Sequence, residues 1–247
     1  MAILRIQQKT SPVVGTKHLC NMKKTLFLIS LLTILLSGCN KEDALNLLST
    51  NFPIITAGFE QNGTRTYVAD ENLLRWNEND QISFFYGSTL NLQYKFDGED
   101  GDNAGTFSIV NQVVGTGNEL DCNYAVYPYS STNKITESGV ISACLPATQN
   151  YEVNSFGLGA NTMVAATQDK NDTFLKFKNV GGYLKLLLFG DDVTVKTITL
   201  TGNSNEQIAG NATITTSNTN DPIVNMTNDA TEAITLDCGS GVKIGTS

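Results

Sequence analysis

Apolar and polar residues alternate in short runs along most of the chain, and the alternation has the period of a strand. Leu92, Tyr94 and Phe96 interleave with Gln93 and Lys95; Leu184, Leu186 and Leu188 interleave with Lys185; Ile208, Ala212 and Ile214 share a parity with Gly210. Side chains two apart lie on one face of a β-strand, so each run predicts a strand with one face on a core. Further strands are expected over residues 53–59, 81–86, 106–110, 123–127, 162–166, 174–178 and 193–200. In the last, Val193 and Val195 hold one parity and Ile198 and Leu200 the other, so a bulge near Lys196 is needed to give a common apolar face.

Turn-forming clusters separate these runs: 77–80, 97–105, 115–118, 130–133, Gly181 with Gly182, 190–192 and 202–205. No apolar stripe of helical period lies between strands, which excludes a parallel doubly wound sheet. From Cys39 onward there are 25 Asn and 25 Thr. Asn competes for backbone hydrogen bonds and Thr loses rotamer freedom in a helix, so this composition disfavours long helices. Short strands at such spacing point to an all-β sandwich or barrel.

The pattern breaks at the amino terminus. Met22, Lys23 and Lys24 open a segment whose apolar run, 25–36, has 12 residues. That is short of the roughly 20 needed to span a membrane, and it reads as a signal peptide. Leu36, Ser37, Gly38 and Cys39 follow. Small residues suit a processing enzyme's cleft, and the Cys39 thiol is placed for lipid attachment, palmitate included. Residues 1–38 are thus read as an over-called start, with Met22 the true one, plus a lipoprotein signal; 39–50 as a tether; and 51–247 as the folded part.

Removing residues 1–38 takes away five of the 16 basic residues and none of the 24 acidic ones, leaving a formal charge of −13. Such a surface repels phosphate backbones, so nucleic acid is not expected as a partner. The single histidine, His18, lies in the segment to be removed, so imidazole-based zinc or relay chemistry is not expected. The chain is read as no enzyme, without cofactor or metal; a carboxylate-pair glycosidase is the weakest of the functions weighed. Cys122, Cys144 and Cys238 follow Cys39 without metal-ligand spacing. Either Cys122 and Cys144 face each other across neighbouring strands as a disulfide, or all three are buried free thiols.

The acidic run from Asp97 to Gly105 reads as a solvated hairpin tip; as a calcium loop it fails, with Ala104 and Asn111 at ligand positions. Trp76, the sole tryptophan, either closes a core or, exposed, offers a binding surface together with Tyr127 and Tyr129. Tyr124, Tyr127 and Tyr129 flank Pro128, which suggests an edge strand or rim. Gly157, Leu158 and Gly159 make a loop without the flanking elements a phosphate site requires.

Several of these pieces together resemble the fimbrillin-like surface lipoproteins of Bacteroides and Porphyromonas relatives, which include major fimbrial subunits and accessory adhesins. They are Cys39; Thr64, Arg65 and Thr66 before Trp76, Asp80 and Ile82; Tyr124 to Pro128; Leu145, Pro146 and Gln149; Phe177, Asn179, Gly182 and Leu184; and Ile198, Leu200 and Gly202 before Ile208, Ala209 and Gly210. Where the family has a Gly-Asp turn after the tryptophan, this chain has Asn79 and Asp80, and Asn tolerates positive φ. The resemblance implies a transthyretin-like antiparallel β-sandwich, chiefly the family's amino-terminal domain, with the carboxy-terminal domain not expected in this chain. It also implies a lipid anchor at Cys39, display on the outer membrane, and assembly with other fimbrillin-like subunits by β-strand donation after cleavage at Arg65, the alternative being that Arg65 is a plain loop residue. Residues 51–59 are the strand to be exchanged. A monomeric lipoprotein binding a surface glycan or a host protein is the competing function.

Overall fold

The computed structural model describes residues 2–6, 52–60, 74–111, 115 and 117–245. In chain order the strands are β1 (Ala2–Ile6), β2 (Ile55–Phe59), β3 (Gln81–Phe85), β4 (Leu92–Phe96), β5 (Ala104–Ile109), β6 (Tyr124–Tyr127), β7 (Lys134–Ile135), β8 (Val140–Leu145) and β9 (Thr148–Glu152). They continue as β10 (Ser155–Phe156), β11 (Met163–Ala166), β12 (Phe174–Asn179), β13 (Gly182–Leu186), β14 (Thr194–Thr201), β15 (Gly210–Thr215), β16 (Ile223–Met226) and β17 (Ala233–Lys243). No helix occurs among the described residues. All these elements belong to one compact unit.

Seven strands close a barrel in the order β11-β12-β2-β5-β4-β3-β6, and β6 returns to β11. Two four-stranded sheets, β16-β15-β8-β7 and β10-β9-β17-β14, and the pair β1-β13 complete the fold. The all-β class expected from the alternation holds, but the transthyretin-like antiparallel sandwich does not form. Met163 pairs with both Asn179 and Tyr127, and β2 bridges β5 and β12. These contacts join what a sandwich leaves as open edges, and closure removes unpaired backbone groups. Nor is the pairing wholly antiparallel: β2 runs parallel to β12, and β9 parallel to β17. The edge position expected for the tyrosine segment is corrected with it, since β6 is paired on both sides.

Burial follows from what covers each face. β4 keeps its alternation, with Leu92, Tyr94 and Phe96 buried and Gln93 and Lys95 half-buried. β11 is buried at every position, because its second face lies under the sheet β16-β15-β8-β7. There Phe85, Val126 and Val164 of the barrel share a cluster with Ile141, Leu145, Ala212 and Ile214. Strands covered on both faces lose period two. In the other four-stranded sheet Ile234 and Leu236 pack with Ile208 and Ala209, and Leu184 of β13 leans on the same cluster.

The irregularity expected near Lys196 is present, since the register of β14 against β17 shifts between Val195 and Thr197. The extra residues stand on β17, where Gly239 (φ 60) and Gly241 (φ 114) take left-handed backbone.

Candidate functional site

The segment between β2 and β3 carries Trp76 into the barrel, where it is 1% exposed. Its backbone is clamped by the acidic loop between β4 and β5: the Trp76 N–H donates to the Asp102 carbonyl (2.7 Å), and the Gly101 N–H donates to the Trp76 carbonyl (2.9 Å). The Glu78 N–H donates to Asp100 Oδ1 at 2.6 Å. The acidic run is therefore a hairpin tip that fastens the tryptophan segment. No cluster of three or more metal-ligating side chains occurs among the described residues.

Five rings surround the indole. Phe59 stacks on it at 4.6 Å, Phe107, Phe177 and Tyr127 meet it edge-on at 5.1, 5.4 and 5.6 Å, and Phe96 lies tilted at 6.0 Å. Such geometries add to the gain from area buried. The turn after it holds Asn79 at φ 66, the left-handed backbone expected there. Asp80 ends that turn, with Oδ2 accepting from the Asn77 N–H (2.8 Å) and Oδ1 from the Tyr127 hydroxyl (2.9 Å). Burial pushes the Asp80 carboxyl above its ordinary range, opposed by these bonds. Burial likewise pushes the Tyr127 phenol up, and the neighbouring Asp80 carboxylate pushes it further.

Beside this cage lies a cavity of about 740 Å³, lined by Phe59, Trp76, Asp80 and Tyr127 from the barrel and by Phe156, Asn161 and Tyr183 outside it. Arg75, Lys185, Asp100 and Glu152 are also on its wall. Phe156 and Tyr183 stack at 5.6 Å with 13° between planes, and the Tyr183 hydroxyl donates to Asn179 Oδ1 at 3.0 Å. Asn161 is 1% exposed, yet neither atom of its amide has a hydrogen-bond partner; the indole Nε1 of Trp76 also lacks one. Buried polar groups are nearly always paired, so these three fully covered atoms are exceptional; packed protein lies against them.

Of the residues singled out in the sequence, the structure brings Trp76 and Tyr127 together, as buried groups and not as the open surface expected of them. Tyr129 is half-buried, donates its N–H to the Gln81 carbonyl (2.8 Å) and takes no part in the cavity. Cys39 and Arg65 lie outside the described residues. Cys122, Cys144 and Cys238 are free, so the Cys122–Cys144 disulfide does not form; Cys144 is exposed and the other two half-buried, so they are not the buried thiols expected either. Sequence reasoning missed Phe156, Asn161 and Tyr183. The Gly157 to Gly159 loop that precedes Asn161 was legible only as a loop, and one asparagine among so many gives no signal of burial.

No protein-family model matches the chain, and neither a curated protein nor a solved structure shows significant similarity to it. It is an all-β protein with a closed barrel, flanking sheets and a mixed aromatic and polar cavity.

Proposed function

We propose that the chain is a non-catalytic, lipid-anchored protein of the outer-membrane surface, a fimbrillin-like pilus subunit or accessory adhesin that joins other such subunits by exchanging β2. The observation that supports this is the place of β2 in the barrel. It is inserted between β5 and β12, with Ile55 and Ala57 fully buried. Its departure leaves two facing strand edges and a vacated apolar slot, which another chain's strand can fill. Strand pairing alone drives this exchange, with or without a sandwich.

In the lipoprotein reading, Cys39 and the tether precede β2, and Arg65 follows it. One cut at Arg65 then severs the anchor from the barrel covalently, and among the described residues β2 with its flanks Pro53 and Glu60 holds the two together. The test is trypsin treatment of membranes from cells expressing the full chain, with amino-terminal sequencing and light scattering of the released material. Cleavage at Arg65, loss of β2 and complex formation with a full-length relative or a β2-type peptide are the expected results. Resistance of Arg65 while other loops are cut, or a cleaved barrel that keeps β2 and binds no strand, overturns strand exchange. Display on the surface is checked separately by shaving intact cells with protease, a periplasmic protein serving as control; full protection of the folded part defeats it.

A further inference from the structure

We infer that the edge of β13 is an acceptor for an extended apolar segment of another polypeptide, a seat that β1 fills in the unprocessed chain. In the lipoprotein reading, on which this rests, residues 2–6 are absent from the mature chain, whether translation opens at Met22 or processing cuts before Cys39. The seat is distinct from the berth of β2 in the barrel.

β1 and β13 make a sheet of their own, and among the described residues β13 shares a ladder with no other strand. Five residue pairs set the register, from Ala2 opposite Leu186 to Ile6 opposite Gly182. Removal of β1 takes away the strand that pairs with this edge, and an uncovered row of backbone N–H and C=O groups is a template for another strand. Only a polypeptide carries amide donors and acceptors at the spacing of a ladder, so the occupant is a strand and not a small ligand or a lipid. Register gives its chemistry. Positions 2, 4 and 6 share the face on which Leu184 meets the cluster of Ile208, Ala209, Ile234 and Leu236, so the incoming segment needs an apolar residue at every second position. Leu187, Leu188 and Phe189 follow β13 and are exposed, and a segment that extends past the position of Ala2 reaches them too. β1 runs within 8 Å of β9, β10 and β17, measured between Cα atoms, so the seat is one strand wide. Two β13 edges paired about a two-fold axis would bring both sets of these strands into one space. The occupant is therefore a flexible segment and not the β13 of a second copy.

The protein is expressed from the full reading frame and from a frame opened at Met22, isolated from membranes in mild detergent, and its amino terminus is read by mass spectrometry. A labelled peptide with the sequence of residues 2–8 is the probe, read by fluorescence anisotropy. The same residues scrambled and a Leu4→Pro peptide are the comparators. A form without residues 2–6 is expected to bind the probe at or below about 0.1 mM, and the comparators at least tenfold more weakly. A form that keeps them is expected to refuse the probe, because a tethered strand holds the seat at an effective concentration of about millimolar order. A benzophenone in place of the Ile3 side chain is expected to cross-link within residues 181–190. Neighbouring N–H groups of a strand point to opposite edges, so only one of Lys185→Pro and Leu186→Pro deletes a ladder donor. That one is expected to weaken binding tenfold or more and the other several-fold less, with urea unfolding of both near the parent's, since β13 lies outside the barrel. No binding to a form whose mass shows residues 2–6 absent overturns the inference. So do equal binding of the scrambled peptide, cross-links elsewhere, equal losses from the two prolines, or a peptide-free dimer that Leu186→Pro dissolves, which gives the seat to a second copy. Retention of residues 2–6 in the product of the full frame defeats the lipoprotein reading instead, and the frame opened at Met22, which lacks them, then decides on the seat.

Discussion

Asp80 and Tyr127 form a buried pair whose energetics depend on pH. Burial raises the Asp80 carboxyl, so the folded protein holds that proton more tightly than the unfolded chain. The group's contribution to stability is therefore largest at low pH and falls as pH rises from the ordinary carboxylate value of about 3.9 through the raised one. The Tyr127 hydroxyl offsets that loss by donating to the ionised form. Tyr127→Phe is expected to cost about 1 to 3 kcal/mol near neutral pH and less at about pH 3.5, where the carboxyl is protonated; urea unfolding at the two pH values measures the difference. Asn123 is the second buried polar residue with a large expected effect. Its side chain accepts from the Gly87 N–H (2.8 Å) and donates to the Lys170 and Asp172 carbonyls (3.1 and 2.7 Å), tying three loops together. Asn123→Ala is expected to lose about 2 to 4 kcal/mol by denaturant unfolding, since the change strands several buried partners at once. The free thiols rank by exposure. Cys144 should react first with an aromatic disulfide reagent, and Cys238, whose thiol burial pushes up, should lag behind it.

Among the elements, β2 is held by more than its ladders. The Lys178 ammonium of β12, its side chain only 4% exposed, donates to the carbonyls of Ser217, Asn218 and Asn220 and stands 3.6 Å from Glu60, the residue after β2. Glu60 is partly open to solvent, so Glu60→Gln should change overall stability by less than about 1 kcal/mol. After a cut beyond β2, the same variant should shed the strand several-fold faster, measured by exchange against a labelled β2 peptide. Ten of the strands lie at or near the runs read from alternation, because β4 and its like cover a core on one face and so write their geometry into the sequence. β8 was read only as the strand of Cys144, and β1, β7, β9, β10, β16 and β17 went unread; β17 carries Gly239 and Gly241 inside its span, which look like turn residues until a partner is known. Pairing order was illegible for a different reason: nothing in the period of β2 says that it lies parallel to β12. The cavity was half legible, with Trp76 and Tyr127 conspicuous as large rings and Asn161 hidden among many asparagines.

For the molecule as a whole, barrel closure joins the two ends of a long stretch of chain. Strand β2 pairs with β5, and its other neighbour, β12, follows only after four further barrel strands have been made. Synthesis runs from the amino terminus at about 5 to 20 residues per second, so β2 emerges seconds before the strand that completes its berth. During that interval Ile55, Ala57 and Phe59 form an apolar strip with one edge unclaimed, and non-local pairings of this kind are slow to form. The nascent chain thus passes through a stage in which its own first strand is a ligand in search of a receptor. A holdase that shields extended apolar segments is the natural companion of that stage. Its depletion should lower the yield of this protein more than that of a barrel whose neighbours are all consecutive, as read by pulse-chase protease resistance.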